Sequence, residues 1–400
     1  MLTEKGKKII KRSITYLIVF AVAFFLGAAI GVKPLSALKE KPITEDPAPA
    51  KSGEVSELAP ALEVLKYIRE RYVKDVSEDV LIRGAINGMV QALGDPYSVF
   101  MEPEEFEDFL ISVNGSFEGV GLSLDVDQET GSVIVVAPIE GTPAHKAGIR
   151  PRDRIVKVDD VELKGKGLDE AVRLLRGKKG TKVTIYVERP GVEQILRYEL
   201  VRDEIRLKTV KWELLENGIG YVRISSFDSY TPDEFRNALL DLQKKGAKAL
   251  VLDLRDNPGG ALDAAVEVAD MLMGKGLVVF TKDKYGNTLE EYYSDEAMVE
   301  LPAAVLVNEN SASAAEIVSG ALQDAGRAVL VGKKTFGKGT VQELVPLSDG
   351  SGLKMTIARY YLPSGRSIDG EGVEPDIEAA LGESRDEQLQ KALEILKTKL

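Results

Sequence analysis

The chain has 400 residues, with 52 basic and 64 acidic side chains and a formal net charge of −12. This length is typical of two or three domains, and the acidic excess argues against nucleic acid as a partner. Because there is no cysteine and only one histidine, His145, cysteine-based and paired-histidine metal sites are excluded, so we expect no metal or cofactor, and a catalytic base must come from Lys, Asp, Glu or Tyr.

The N-terminal segment predicts a membrane anchor. Ser13–Val32 contains no charged residue and follows a basic flank that runs from Lys5 to Arg12. A stretch of this length spans one bilayer, and the positive-inside rule favours a cytoplasmic N-terminus with the rest of the chain outside. A cleaved signal peptide is the alternative, because Gly27-Ala28-Ala29 offers small residues to a signal peptidase. We predict a basic stub with an anchor or signal at 1–33, a proline-rich linker at 34–54, and a single membrane span that leaves the rest of the chain outside the cytoplasm.

The hydrophobic pattern divides the rest of the chain into four regions. It predicts a helical region at 55–113 with a break at Gly94-Asp95-Pro96, a small β-rich module at 114–204, an α/β core at 205–382 and a helix at 383–400. The fold class is therefore a layered α/β (α+β) core with an inserted β-rich module and an N-terminal transmembrane helix. In the tail, Leu389, Leu393 and Leu396 share one helix face, which predicts docking or dimerisation.

The predicted elements are short and regularly spaced. The predicted strands are 132–137, 154–158, 182–187, 219–224, 249–254, 277–281, 303–307, 328–331, 340–345 and 353–361. The predicted helices are 144–147, 168–175, 232–244, 261–273 and 314–324.

A first motif ends the strand that starts at Ala249. Asp253-Leu-Arg-Asp-Asn-Pro-Gly-Gly260 leads from this strand directly into a helix, so Gly259 and Gly260 present bare backbone N–H groups beside a helix N-terminus. Such a turn suits an anion or the oxyanion of a transition state. An ordinary strand-to-helix turn explains the same residues.

A second motif places Ser313 at the start of a helix, after Asn310-Ser-Ala. Its neighbours Ala312 and Ala314 leave the hydroxyl unobstructed, and a nucleophile here has the next backbone N–H available as an oxyanion donor. Ser313 with Glu316 also fits a Ser-x-x-Glu capping box, which needs no catalytic role.

A third motif, Thr335-Phe-Gly-Lys338-Gly-Thr-Val-Gln342, places a lysine between two glycines. The preceding Gly332 makes it resemble a phosphate-binding P-loop, but Gly339 replaces the Ser or Thr that would bind magnesium, and a strand follows instead of a helix. A phosphate-binding protein is therefore the least favoured alternative.

Burial lets a lysine act as a base, since desolvation disfavours the ammonium and lowers the pKa from about 10.4 toward neutrality. With histidine effectively unavailable, Ser313 with Lys338 is the nucleophile–base pair that the motif context supports, and Gln342 can orient the amine.

These motifs, in this order, resemble those of the carboxy-terminal processing proteases, serine endopeptidases of peptidase family S41 with an inserted PDZ domain. The resemblance extends from about Val55 to Leu381. It implies that Ser313 is the nucleophile, Lys338 the general base and Gln342 the residue that positions the lysine. It further implies an oxyanion hole formed by the N–H of Ala314 with that of Gly259 or Gly260.

The module at 114–204 resembles a PDZ domain, with Gly119, Val120, Gly121 and Leu122 at the carboxylate-binding loop. A PDZ groove binds a C-terminus by strand addition, and the N–H groups of its loop accept the terminal carboxylate. One departure is Arg152-Asp153, where many relatives have Gly-Asp, so we expect a differently shaped turn there. We expect His145, in a short helix of this module, to face solvent without a catalytic role.

The resemblance therefore implies a bacterial endopeptidase that is tethered by a single membrane span, with its catalytic part outside the cytoplasm. It implies that the protein recognises protein C-termini with apolar ends through its PDZ domain. The alternative is a non-catalytic PDZ scaffold that only binds such tails. The N-terminal helices and the tail are candidate homodimer surfaces, as in similar proteases.

Overall fold

A computed structural model of the chain describes residues 57–127, 130–295, 299–380 and 386–400. The predicted anchor or signal at 1–33 and the linker at 34–54 lie outside these residues. Among the helices of the described residues, none is both long and apolar enough to span a membrane.

The backbone separates into two units that meet between Gly84 and Ala85. Helix α1 (Ala59–Arg71) lies in the first unit, and helix α2 (Glu78–Gln91) contains the boundary. Neither helix buries a residue. Both helices lie in the region that the sequence predicted to be helical. At the predicted break, Gly94 adopts the left-handed conformation, with φ of 65°.

The inserted module is a small antiparallel β-domain with two short helices, as predicted. Its sheet has the strand order β3-β4-β5-β7-β8, with β6 paired to β5, while β2 and β9 pair where the chain enters and leaves. Residues that alternate along the strands, among them Val133, Val135, Ile155 and Ile185, form its core. The strands are β2 (Ser116–Gly119), β3 (Leu122–Val126), β4 (Val133–Pro138), β5 (Arg154–Val158), β6 (Val161–Glu162), β7 (Lys182–Glu188), β8 (Leu196–Val201) and β9 (Asp203–Arg206), and the helices are α4 (Pro143–Lys146) and α5 (Leu168–Leu175).

The larger domain is built on a six-stranded sheet with the order β10-β11-β12-β15-β16-β19, parallel from β11 onward. Its central strands are apolar throughout because both faces are covered. Leu250 and Leu252 belong to the core cluster that contains helices α6, α7 and α8, whereas Val251 belongs to the cluster that contains helix α9. The elements are β10 (Val210–Leu215), β11 (Ile219–Ile224), α6 (Thr231–Lys244), β12 (Ala249–Asp253), α7 (Leu262–Asp270), β15 (Ala303–Val307), α8 (Ala314–Asp324), β16 (Ala328–Gly332), β19 (Ile377–Glu378) and α9 (Glu387–Lys397).

A second, antiparallel sheet completes the domain and confirms the layered fold class. It has the order β1-β18-β13-β14, with β17 paired to β18. Its elements, with the helix that follows β1, are β1 (Val99–Met101), α3 (Pro103–Asn114), β13 (Gly276–Lys282), β14 (Thr288–Ser294), β17 (Thr340–Pro346) and β18 (Gly352–Tyr361). Strand β1 was not predicted. It brings the segment just before it, from Asp95 to Ser98, to the long strand β18.

The C-terminal helix α9 docks on the parallel sheet of its own chain, which confirms docking, one of the two predicted roles of the tail. Ala392 and Leu396 are fully buried in the cluster that contains Val251 and Leu306. At the start of α9, Asp386 pairs with the buried Arg255 at 2.8 Å.

Candidate active site

The turn after β12 requires its two glycines. Gly259 and Gly260 have φ of 101° and 141°, which disfavour any other residue. A Cβ on Gly259 would lie 2.8 Å from the Cβ of Ser313 and 3.0 Å from the backbone N of Ala314, and one on Gly260 would collide with the backbone of Phe227. The backbone of Gly259 therefore lies directly against the start of α8.

Ser313 occupies the N-cap of α8, between β15 and the helix. Its φ of 54° is unusual for a residue with a side chain, and it is 9% exposed. Such strain is found where the surrounding structure fixes a residue, often at functional sites.

Hydrogen bonds join this turn to the glycine turn. The N–H of Ala312 donates to the carbonyl of Asn257 at 2.9 Å, and the hydroxyl of Ser311 donates to the carbonyl of Leu254 at 2.8 Å. Asp256 accepts from the side-chain amides of Asn308 and Asn310 at 2.8 and 3.0 Å. The two turns are thus joined by hydrogen bonds into one assembly.

Two backbone N–H groups of this assembly are available to a ligand. The N–H of Gly259 is engaged, because it donates to Oδ1 of Asn257 at 2.8 Å. Those of Gly260 and Ala314 donate to no protein atom among the described residues. Of the two glycines that the sequence offered for the oxyanion hole, Gly260 therefore retains a free donor.

Glu316 joins the serine turn to the lysine loop. Its carboxylate is fully buried and accepts the N–H of Ser313 at 2.8 Å, that of Gly337 at 2.8 Å and that of Lys338 at 2.9 Å. The hydroxyl of Thr335 also donates to it. Burial raises the pKa of Glu316, which these hydrogen bonds oppose. The predicted capping box is present, and the same carboxylate holds the candidate nucleophile and base together.

Lys338 is half-buried, as its predicted role requires. Burial lowers the pKa of Lys338 below the ordinary value for lysine, and repulsion from Lys354 lowers it further, while Asp95 and Glu316 act in the opposite direction. Its Nζ lies 4.9 Å from the centre of the Tyr97 ring and forms no hydrogen bond with a described residue, Ser313 included.

Gln342 lies on β17, near Lys338 in the chain but without a hydrogen bond to its amine. Its side-chain amide donates to the hydroxyls of Thr340 at 2.7 Å and Thr356 at 3.4 Å. The structure therefore ties Gln342 to two threonines, and its positioning of the lysine stays a prediction.

The loop from Gly119 to Leu122 borders an apolar groove of about 160 Å³ between β3 and α5. The N–H groups of Val120 and Gly121 donate to no protein atom among the described residues. Gly121 has φ of 78°, and a Cβ there would lie 2.4 Å from Thr142. The loop thus offers adjacent amide donors at the end of an apolar groove, as a carboxylate site requires.

Comparison with known proteins identifies the family and the domains of the chain. The profile of Peptidase family S41 matches residues 218–379, a PDZ domain profile matches 134–189, and a profile described as the activating protease CtpB N-terminal domain matches 17–105. The carboxy-terminal processing protease CtpA of Bacillus subtilis is 41% identical over 315 residues, which cover 78% of this chain and 67% of the relative. The carboxy-terminal-processing protease of Bartonella bacilliformis is 41% identical over 321 residues, or 79% and 73% of the two chains.

The chain belongs to the carboxy-terminal processing proteases of peptidase family S41. The solved photosystem II D1 C-terminal processing protease is 33% identical with a TM-score of 0.50, and the match covers 85% of this chain and 97% of that one. This carboxy-terminal processing protease is therefore a serine-type peptidase with a PDZ domain, as the sequence predicted.

Two details of the PDZ domain bear on the sequence predictions. His145 is exposed and accepts a hydrogen bond from the N–H of Gly141 at 3.3 Å, so its predicted exposure is confirmed. Arg152 has φ of 70°, the left-handed conformation that glycine adopts without strain, while Asp153 is buried against Arg189. Arg152, where many relatives have glycine, thus adopts a backbone conformation that is strained for a residue with a side chain.

Sequence reasoning missed two contributors to the site of this protease. It treated Glu316 only as a capping residue, although the motif that contains it was noted. It overlooked Tyr97, whose sequence signal was the helix break at Gly94-Asp95-Pro96 just before it. Both act through contacts with Lys338, which is distant from them in sequence.

Proposed function

We propose that this chain is an endopeptidase with a Ser-Lys dyad, in which Ser313 is the nucleophile and Lys338 the general base. The observation that carries the proposal is the buried Glu316 carboxylate, which accepts the N–H groups of both Ser313 and Lys338. The half-burial of Lys338 supports its role, because a lysine with a lowered pKa has a larger neutral fraction at a given pH.

The reaction proceeds through an acyl-enzyme. Neutral Lys338 turns from the Tyr97 ring toward Ser313 and takes the hydroxyl proton as Oγ bonds to the substrate carbonyl carbon. The N–H groups of Ala314 and Gly260 stabilise the oxyanion. The amide C–N bond then breaks, Lys338 returns its proton to the leaving amine, and a water molecule hydrolyses the ester by the same steps. Gln342 positions the lysine side chain during the transfer.

The PDZ groove supplies substrate selection. The free N–H groups of Val120 and Gly121, with Leu122 and the neighbouring apolar groove, support the binding of a C-terminal carboxylate and an apolar last side chain. The uncharged segment Ser13–Val32 and its basic flank support a membrane-bound location with the protease domain outside the cytoplasm.

Digestion of an unstructured protein with an apolar C-terminal tail, analysed by mass spectrometry, tests the dyad. We expect the native chain to produce internal cleavages, and Ser313→Ala and Lys338→Ala to yield none while melting at nearly the native temperature. Cleavage by Lys338→Ala at the native rate would rule out the base assignment.

The same experiment distinguishes an endopeptidase from the scaffold alternative. A tailed peptide should bind the native chain and Ser313→Ala equally well, so binding alone does not discriminate. If the native chain binds the peptide but releases no product, the non-catalytic scaffold is the correct description.

A further inference from the structure

The segment Asp95–Ser98 lies beside the candidate base Lys338, although it belongs to none of the three sequence motifs. It lies between α2 and β1, and its Tyr97 places an aromatic ring 4.9 Å from Nζ of Lys338. A ring face at this distance attracts an ammonium group, because the quadrupole of the ring is negative above its plane. A neutral amine loses this attraction.

Hydrogen bonds fix the segment in place. Asp95 accepts the N–H of Tyr97 at 3.0 Å and the hydroxyl of Ser98 at 2.6 Å. The hydroxyl of Ser98 in turn accepts the N–H of Thr356 on β18 at 3.0 Å. Since Ser98 is buried and β1 pairs with β18, the Tyr97 backbone is held by the same sheet that follows Lys338.

The charged groups around the amine come from several elements. Asp95 from the segment and Glu316 from α8 favour the ammonium, whereas Lys354 from β18 opposes it. The amine forms no hydrogen bond or ion pair with any of them within the described part of the chain. The Tyr97 ring is therefore its close partner in this conformation.

We propose that Tyr97 is a positioning residue that holds the protonated Lys338 side chain on its ring and releases it when the amine becomes neutral. This inference rests on the proposed role of Lys338 as the base. The ring opposes deprotonation, and it keeps the ammonium away from Ser313 until the amine can accept a proton. Loss of the proton and availability of the base thus occur together.

The pH dependence of kcat/KM tests this role with matched variants. Tyr97→Phe keeps the ring and removes a hydroxyl that forms no hydrogen bond to a described residue, so its acidic limb should coincide with that of the native chain. Tyr97→Leu keeps an apolar cover and removes the ring face, so its acidic limb should move to lower pH by about half to one unit. Tyr97→Met serves the same purpose if the leucine variant fails to fold.

An unchanged limb in Tyr97→Leu would overturn the proposal, because the ring would then not stabilise the ammonium. An acidic limb that moves to higher pH in Tyr97→Leu would also overturn the proposal, because the ring would then lower the lysine pKa by excluding water instead of stabilising the ammonium.

A second measurement does not depend on peptidase activity. In Ser313→Ala, the pKa of the Lys338 amine can be followed by NMR of the labelled lysine side chains, with Lys338→Gln to assign the signal. We expect Tyr97→Leu to lower this pKa and Tyr97→Phe to leave it unchanged. If the pKa responds as expected while Lys338→Ala still cleaves substrate, the proposed dyad is wrong and the proposed ring contact is correct. If the pKa does not respond to Tyr97→Leu, only the proposed role of the ring is refuted.

Discussion

The proposed role of Lys338 as the general base makes activity depend on the protonation of one half-buried amine. Burial and the nearby Lys354 both lower the pKa of Lys338. The neutral amine is therefore populated at pH values below the ordinary lysine pKa of about 10.4. Activity should rise with pH through the lowered pKa, since only the neutral amine accepts a proton. A kcat/KM profile measures this acidic limb.

The variant Lys354→Gln tests whether Lys354 lowers the pKa of Lys338. It removes a positive charge that disfavours the Lys338 ammonium, so the acidic limb should shift to higher pH. The control is Lys284→Gln, which removes an exposed lysine from the β13–β14 hairpin and should leave the profile unchanged. A downward shift in Lys354→Gln would contradict the electrostatic account.

Gly259 is the residue whose backbone lies against the Ser313 turn. Gly259→Ala would place a methyl group 2.8 Å from the Cβ of Ser313 and the carbonyl of Ala312, so the turn must move away. We expect kcat to fall by about 100-fold or more, because moving the turn displaces the neighbouring N–H of Gly260, and losing one oxyanion donor usually has an effect of this size. Gly326→Ala is the matched control, because Gly326 also has a positive φ of 64° but no atom within 4 Å of the added methyl. Equal losses in both variants would show that backbone strain alone is responsible.

Helix α9 covers one face of the parallel sheet that supports the site. Leu396 is fully buried there, so Leu396→Ala should lower the free energy of unfolding by about 2–5 kcal/mol through lost contacts and a residual cavity. Leu400→Ala, on a side chain that is 52% exposed, should change it by less than about 0.5 kcal/mol. Urea unfolding followed by circular dichroism compares the two, and similar midpoints would mean that α9 does not stabilise the domain.

Elements with strong periodicity were predictable from the sequence. The strands Ile219–Ile224 and Ala303–Val307 and the helix Ala314–Asp324 have the predicted bounds, because continuous apolar runs identify strands that are buried on both faces and a serine before an apolar period marks a helix start. Helix α7 ends at Asp270, earlier than the predicted Met273, where the chain forms tight turns. Strand β1 has only three residues and lacks any such period.

Contacts across the chain were not predictable in this way. The approach of Gly259 to Ser313 followed from family resemblance, whereas the bond from Lys338 to Glu316 and the ring of Tyr97 depend on how distant loops meet. Local pattern carries no information on such contacts. The carboxylate of Glu316 completes a helix capping box and also joins the Ser313 turn to the Lys338 loop. Only the capping box can be recognised from the sequence.

The PDZ groove and the Ser313 turn are separate features of the chain, so the proposed recognition of substrate can be tested apart from the proposed cleavage. If the groove binds a terminal carboxylate, a substrate with an amidated C-terminus loses a charge-assisted contact but presents the same scissile bond. We expect kcat/KM to fall by about 10- to 100-fold through a higher KM, with kcat unchanged. Steady-state kinetics on the paired substrates measures this difference.

A variant of the groove supplies the complementary control. Gly121→Ala would place a methyl group 2.4 Å from Thr142 and distort the loop, so it should remove the preference for the free terminus. Gly141→Ala, at a left-handed glycine with open space around it, should retain the preference. A preference that survives in Gly121→Ala would place terminus recognition elsewhere on the molecule.

The four donors gathered by Glu316 have a consequence for how mutations spread through this enzyme. We expect a packing change that displaces this carboxylate to move the Ser313 turn and the lysine loop together, because hydrogen bonds join the carboxylate to both. If Ser313 and Lys338 form the dyad, we expect catalysis to tolerate core substitutions that shift the Glu316 side chain together with both loops. We expect substitutions that break its hydrogen bonds to either loop to impair proton transfer between the serine and the lysine.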